Sequence, residues 1–243
     1  MKLLVILCGL LLCYACQPQN RNTQPRTRSI TDALGRKVVL QDSIQRIVCI
    51  RASAIRLVTY AGGVPFICGV EEQECRPNEY THILAHPELA RKPIIGPSMG
   101  GDAELILTVC PDVIFMSATT VEDADALQTR TNIPVFTIEY GDLHRNRPCF
   151  YQSLRKIAQV LHTERHTDSL IRFIDEQIAE LRQRTTSSTH APKTYVGGIS
   201  YRGQKGITST DPYYAAFQFI GADNVASCID STYISPINGT YID

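Results

Sequence analysis

Residues 96–117 read GPSMGGDAELILTVCPDVIFMS, and this stretch decides the fold. It opens on a glycine-rich loop, which resembles an anion-binding helix entrance but fits an ordinary glycine turn better. Asp102 can cap the helix that follows the loop. The stretch ends in residues 112–117 (DVIFMS), a short apolar run of the length typical of strands buried on both faces. It therefore predicts a loop, a helix and a buried strand in succession.

Similar apolar runs recur on both sides of this unit. They are 46–50 (RIVCI), 65–70 (PFICGV), 93–96 (PIIG) and 134–140 (PVFTIEY). Helical patterns alternate with the runs, at residues 53–61, 80–90, 102–109 and 121–131, with Ser53, Asp102 and Thr120 as expected N-caps. Alternation of strands and helices predicts an α/β fold with a parallel sheet and helices on both faces.

Residues 148–184 carry two helical apolar stripes. The second helix, 164–184, would be roughly 30 Å long, and the i,i+4 pairs Arg172–Glu176 and Glu180–Arg184 line its polar side. A helix of this length can bridge two lobes. We therefore predict two doubly wound parallel-sheet lobes, at residues 30–147 and 193–243, joined by one long rigid helix.

The second lobe is expected to start with a strand at 194–201 (TYVGGISY). A helix should follow from Asp211–Pro212 to about Ile220, with Gly221 as its stop, because Asp is a good cap and Pro suits the first helical position. Another strand is expected at 224–226.

The N-terminal sequence has the pattern of an export signal. Lys2 is the only charged residue before Cys16, and an apolar run separates them. We expect residues 1–15 to be a signal peptide, Cys16 to be lipidated, and the polar residues 16–29 to form a flexible tether. A plain secretory signal cut nearby is the alternative.

The charge balance and the cysteine spacing argue against two kinds of binding site. Lys and Arg together number 24, as do Asp and Glu, and a near-neutral chain argues against a nucleic-acid partner. Cys49 and Cys110 lie in apolar runs and are expected to be buried free thiols, whereas Cys68 and Cys75 could close a small disulfide loop. The six cysteines after Cys16 include no CxxC pair, which argues against a structural zinc site.

In open parallel sheets, ligands bind outside the carboxyl ends of the strands. Arg51 follows a predicted strand directly and could pair with a carboxylate, phosphate or catecholate, although a solvated loop arginine is an equal alternative. Glu71 and Glu72 also follow a strand. The candidate ligand-binding residues are Arg51, Ser98, Met99, Thr119, Tyr140, Tyr201, Arg202 and Lys205. They form no Ser–His–Asp, catalytic-cysteine or P-loop pattern, so we expect ligand capture without catalysis.

Two histidine pairs stand at i,i+4 spacing, His82 with His86 and His162 with His166. Such a pair can hold a metal on one helix face. Both pairs lie away from the predicted strand ends, so we expect no metal site there.

The segments 31–39 (TDALGRKVV), 46–62 (RIVCIRASAIRLVTYAG), 68–70 (CGV), 96–117 and 133–139 (IPVFTIE) together resemble the iron-siderophore and cobalamin class of periplasmic binding proteins. The likeness covers nearly all of residues 30–243. It implies a lipid-anchored, monomeric protein on the periplasmic face of the envelope. Such a protein captures an iron-siderophore, haem or cobalamin-type ligand and delivers it to an ABC permease in the inner membrane, without a cofactor of its own.

Two departures from the family accompany this resemblance. Arg56 stands where members often carry a glutamate that docks on the permease. Residues 193–243 are also shorter than the family's second lobe, so we expect a truncated lobe. The alternatives are a zinc or manganese binder of the same fold, an envelope tetrapyrrole chelatase and an adhesion lipoprotein.

Overall fold

The computed structural model describes residues 26–76, 80–185, 191–198 and 209–229. Its first described element is an antiparallel hairpin of β1 (Thr27–Thr31) and β2 (Lys37–Gln41). Ile30, Val38 and Leu40 of the hairpin are buried. Lys37, Val39 and Gln41, which alternate with them along β2, are exposed. This alternation is the pattern expected of a sheet that covers a core with one face.

A four-stranded parallel sheet forms the centre of the fold, in the order β4-β3-β5-β6. Its strands are β3 (Ile47–Ile50), β4 (Ile67–Gly69), β5 (Val113–Ser117) and β6 (Val135–Ile138), and every residue in them is buried. The run at residues 93–96 adds one parallel bridge, between Ile94 and Val70. The predicted parallel sheet is confirmed, and burial on both faces explains why its strands are uniformly apolar.

Helices cover both faces of this sheet. On one face α1 (Ala52–Tyr60) and α5 (Arg147–Leu161) pack against the strands, and α6 (Glu164–Thr185) packs on α5. On the other face α3 (Ala103–Thr108) and α4 (Val121–Thr131) cover Val48, Ile114 and their neighbours. The short helix α2 (Thr81–Ala85) contributes Ile83 to the core beneath α1 and α5. The α/β class predicted from the sequence is therefore confirmed.

Two of the three predicted N-caps are confirmed. Asp102 accepts the Leu105 N–H at 2.9 Å, and Thr120 accepts the Asp123 N–H at 3.2 Å. The Ser53 prediction is wrong, because α1 begins one residue earlier, without a side-chain cap.

The helix predicted over 80–90 is also interrupted. Helix α2 ends at Ala85, and a separate 3-10 turn spans Leu89–Arg91. Pro87 stands between them, and proline cannot continue a helical hydrogen-bond ladder.

The hairpin is fastened to the free edge of β6. The Ala33 N–H donates to the Thr137 carbonyl at 3.0 Å, and the Thr137 N–H donates to the Asp32 carboxylate at 3.3 Å. The same carboxylate accepts the N–H groups of Leu34 and Arg36 and pairs with the Arg36 guanidinium at 3.1 Å. The turn of the hairpin thus completes the sheet at the edge that would otherwise be open.

The long helix α6 is confirmed within one residue of its expected end. Beyond it, β7 (Lys193–Thr194) pairs in parallel with β8 (Asp223–Asn224), and α7 (Ala215–Phe219) follows a turn in which Asp211 accepts the Tyr213 N–H. The strand predicted at 194–201 is therefore longer than β7, and the helix predicted from Asp211 to about Ile220 is longer than α7. Gly221, at φ 62°, ends α7 as expected. The arrangement as two lobes stays a prediction.

The export signal, Cys16 and most of the tether lie outside the described residues. Residues 27–29, which the sequence assigned to the end of the tether, belong instead to β1 and pair with β2. Of the helices that the structure describes, none has the length and apolar composition needed to cross a membrane.

The cysteines follow the sequence only in part. Cys49 is buried as predicted, but Cys110 is exposed, because it follows the end of α3. Cys68 and Cys75 are both free, and the buried Cys68 thiol donates to the Ile47 carbonyl at 3.2 Å. The disulfide alternative for this pair is therefore not adopted.

Candidate functional site

The strand order places a crevice between β3 and β5. From β3 the chain crosses through α1 to β4 on one side, and it later returns to β5 on the other side of β3. Such a reversal of direction is the point at which open α/β sheets bind ligands, outside the carboxyl ends of the strands. Arg51 and Ser117 stand at these two strand ends, so they border the crevice.

Arg51 spans this crevice. Its guanidinium Nη1 donates to the Ser117 carbonyl at 3.4 Å, and Nη2 lies 4.0 Å from the Asp123 carboxylate at the start of α4. The side chain remains 22% exposed, so an incoming ligand can reach it. Because Asp123 is well exposed, this ion pair is weak, and an anionic ligand group can displace it.

Glu71 holds the backbone of Arg51 from the neighbouring strand end. Its carboxylate Oε2 accepts the Arg51 N–H at 2.9 Å, and the residue is only 2% exposed. Burial raises the pKa of Glu71 to about 7, although the N–H groups of Arg51, Met99 and Gly100 oppose this shift. The other oxygen, Oε1, has no partner of hydrogen-bond geometry in the part of the chain that the structure describes.

Unusual backbone conformations gather around the crevice. Arg51 (φ 73°), Met99 (φ 70°) and Ala118 (φ 47°) all have positive φ without being glycine. They lie in three different loops that follow strands or the extended residues 93–96. Strained backbone persists only where its surroundings enforce it, and it is concentrated at functional sites. These three loops therefore mark the same edge of the sheet as the strand order does.

The glycine loop packs closely onto the end of β3. A Cβ on Gly101, which has φ 64°, would lie 2.9 Å from the Ile50 Cδ1, and a Cβ on Gly96 would lie 2.4 Å from the Asp102 nitrogen. Glycine is needed at both positions because larger residues would push the loop away. The loop thereby brings Met99 and Gly100 to the Glu71 carboxylate.

A second cation lies at the end of β6. The Arg56 guanidinium of α1 is 4.6 Å from the ring centroid of Tyr140, which is 42% exposed. This is the distance of a cation–π contact. Arg56 is the residue that the resemblance aligned with a permease-docking glutamate. In the structure its side chain instead covers the aromatic residue at a strand end.

The predicted site residues are only partly brought together. Arg51 lies at the crevice, Ser98 and Met99 are exposed on the glycine loop, and Thr119 is half-buried with its hydroxyl 3.5 Å from the Thr120 carbonyl. Tyr140 contacts Arg56, at the end of the neighbouring strand. The predictions for Tyr201, Arg202 and Lys205 fall outside the described residues.

Sequence reasoning missed three contributions to the site. It placed Glu71 at a strand end but not against the Arg51 backbone, and it did not consider Asp123 or the Arg56–Tyr140 contact. The position of Glu71 directly after an apolar run was the one available signal.

The histidine pairs serve other contacts. His82 Nε2 lies 2.6 Å from the buried Glu74 carboxylate, while His162 and His166 hydrogen-bond to backbone carbonyls. His86 lies beside Glu88. Within the described ranges, no three His, Cys, Asp or Glu side chains are grouped so that they could hold a metal.

One characterised protein is similar to this chain in sequence. The chain is 24% identical over 187 residues to the molybdate-binding protein MolA of Haemophilus influenzae, which covers 70% of this chain and 53% of MolA. The chain thus spans about half the length of that relative.

Three solved structures share the fold. A periplasmic solute binding protein from Veillonella parvula is 17% identical with a TM-score of 0.66, over 90% of this chain and 63% of that protein. Molybdate-bound MolA is 21% identical with a TM-score of 0.64, over 83% and 67%. The catecholate-siderophore binding protein VctP of Vibrio cholerae is 20% identical with a TM-score of 0.61, over 90% and 73%.

The family assignment rests on a match to a family model. Residues 47–242, well over half of the chain, match the family described as periplasmic binding protein. That span begins at β3 and contains the crevice, the glycine loop and the long helix α6. The resemblance seen in the sequence is confirmed, and the chain belongs to the periplasmic binding protein family.

Proposed function

We propose that this chain is the solute-binding component of an ABC importer and captures an anionic metal complex at the carboxyl ends of β3 and β5. The observation that carries the proposal is the partly exposed Arg51 guanidinium across the crevice at which the strand order reverses. An arginine there can form paired hydrogen bonds to carboxylate, catecholate or oxoanion groups. Ligand capture needs no reacting group, so we propose no enzymatic activity.

Among the ligand classes, we propose a ferric siderophore first, ahead of haem and cobalamin. A catecholate or carboxylate siderophore presents several negatively charged oxygens, which suit Arg51 and the second cation Arg56 over Tyr140. The structural likeness to a catecholate-siderophore binding protein supports this class.

An oxoanion such as molybdate is the second candidate. MolA is similar to this chain in sequence as well as in fold, and its structure holds molybdate. A compact anion could pair with the Arg51 guanidinium alone. Direct zinc or manganese binding has less support, because Glu71 is engaged by the Arg51 N–H and Glu72 is exposed.

The remaining parts of the chain complete this proposal. Residues 1–15 would direct export and Cys16 would carry the lipid anchor. A tether between Cys16 and β1 would let the domain reach its permease from the periplasmic face. Residues 193–243 would belong to a second lobe across α6 from residues 30–147. Its Tyr201, Arg202 and Lys205 would supply the opposite wall of the ligand site.

Calorimetric titration of the full chain tests the proposal. The probes are a ferric complex of 2,3-dihydroxybenzoate, sodium molybdate, haem and cyanocobalamin. Arg51→Ala should weaken binding of the preferred anionic probe by about 10- to 100-fold, the loss expected for charge-assisted hydrogen bonds. Arg172→Ala on the exposed side of α6 is the matched control and should bind like the wild type. Failure of the wild type to bind any of the probes would refute the proposed function.

A further inference from the structure

We propose that Glu71 is a positioning residue of the strand-end site: its buried carboxylate holds Arg51 in its positive-φ conformation and so directs the guanidinium across the crevice. This inference rests on the proposed function, because it concerns the same site. Glu71 itself need not touch the ligand. It would act through Arg51, which does.

The geometry of α1 explains why such a support is needed. Arg51 is the N-cap of α1, with φ 73° and ψ 141°, a conformation that L-residues rarely adopt. Its carbonyl accepts the Ala54 N–H at 2.9 Å and so belongs to the helix, while its own N–H donates to Glu71 at 2.9 Å. Among the described residues, Glu71 is the acceptor of the Arg51 N–H. Without Glu71, this hydrogen bond would no longer offset the strain of the positive-φ conformation.

The burial of Glu71 points in the same direction. A carboxylate is costly to bury, and an apolar side chain would fill the space between β3 and the glycine loop at lower cost. Glu71 nevertheless stands there at 2% exposure, with the N–H groups of Arg51, Met99 and Gly100 directed at its carboxylate. A buried carboxylate held by backbone N–H groups from two loops calls for an explanation beyond the packing of the core. Holding Arg51 while responding to charge in the crevice is such an explanation.

The groups around Glu71 set its response to pH. They are the Arg51 N–H, the Met99 and Gly100 N–H groups, the Gln73 amide at 3.4 Å, and the Glu74 carboxylate, which repels its charge. Cys49, buried in β3, also interacts with the Glu71 charge. Glu74 is itself bonded to His82, and Arg51 faces Asp123. With a pKa of about 7, Glu71 changes charge near neutral pH. Loss of its negative charge should favour an anion bound at Arg51.

The test compares two Glu71 variants of the full chain with the exposed neighbour Glu72→Ala as control. Molybdate and the ferric 2,3-dihydroxybenzoate complex are titrated from about pH 8 to about pH 6, on either side of the Glu71 pKa. Wild-type affinity should rise by about threefold or more as the pH falls. Glu71→Gln keeps an acceptor oxygen for the Arg51 N–H, so it should retain binding but lose most of this pH dependence. Glu71→Ala should bind at least about tenfold more weakly at every pH.

A second measurement needs no ligand. The Arg51 amide signal in ¹⁵N nuclear magnetic resonance spectra should titrate near pH 7 in the wild type, but not in Glu71→Gln. Amide exchange at Arg51 should be faster in Glu71→Ala than in either of the other two.

The outcomes separate the two proposals. Equal affinity and equal pH dependence in all variants would overturn the positioning role, and so would an Arg51 amide signal that does not shift with pH in the wild type. Either result would leave the proposed function standing. Absence of binding by the wild type would overturn the proposed function, and with it the role of Glu71 in ligand capture.

Discussion

Replacing Asp32 with Ala should destabilise the protein more than any exposed acidic substitution. Asp32 is 1% exposed, and its carboxylate accepts hydrogen bonds from the N–H groups of Leu34, Arg36 and Thr137 and from the Arg36 guanidinium. Removing one partner of a buried ion pair typically costs about 3–5 kcal/mol. Arg36 would keep its bonds to the Val135 carbonyl and to Gln128, so we expect the lower end of this range, about 3 kcal/mol.

Asp125→Ala is the matched control, because Asp125 binds the same guanidinium at 3.0 Å while its side chain is 58% exposed. An exposed pair contributes about 0–1 kcal/mol. Urea unfolding of the full chain, followed by circular dichroism, gives both differences in the free energy of unfolding. Similar losses in the two variants, or a loss below about 1 kcal/mol for Asp32→Ala, would refute the reasoning from burial.

Two further predictions concern the edge of the sheet where the crevice lies. Gly96→Ala should lower the free energy of unfolding by about 2 kcal/mol or more, because its Cβ would lie 2.4 Å from the Asp102 nitrogen at φ 136°. Gly100→Ala, whose Cβ would meet nothing within 4 Å, should change it by less than about 0.5 kcal/mol. Thermal unfolding distinguishes them, and equal effects would contradict the close packing of the loop. The raised pKa of Glu71 means that the folded state holds a proton that the unfolded state has lost, so wild-type stability should fall as the pH rises from about 4.5 to about 7, by at most about 3 kcal/mol from this group. Urea unfolding of Glu71→Gln should lack that part of the fall, and an unchanged pH profile would show that Glu71 is not the responsible group.

The sequence was sufficient to predict the elements whose causes are local. The buried strands appear as uninterrupted apolar runs, and Asp102 and Thr120 cap helices through bonds to residues three positions ahead. Such patterns are complete within a few residues, so they can be recognised without tertiary structure. The long helix α6 belongs to the same group, because its apolar stripe repeats over many turns.

The site was harder to predict because its contacts join distant segments. Glu71 meets Arg51 only because β4 lies beside β3, and Arg56 meets Tyr140 only because α1 packs at the end of β6 where that tyrosine stands. The local pattern of apolar and polar residues predicts neither of these contacts between distant segments. The helix predicted to start at Asp211 begins only at Ala215, for a related reason. Asp can start a turn as readily as a helix, and here Asp211 forms a turn by accepting the Tyr213 N–H.

The attachment of the hairpin to β6 also fixes an order of events during folding. Asp32 and Thr137 are 105 residues apart in the sequence, and closing a loop of that length costs about 4 kcal/mol in chain entropy. The hairpin precedes β6 in the chain but cannot reach its final position until β6 has formed. Between the formation of β6 and the docking of the hairpin, the outer side of β6 presents unpaired backbone groups to any other extended chain. The folding intermediate, rather than the native protein, is therefore the species in which this sheet can recruit a foreign strand.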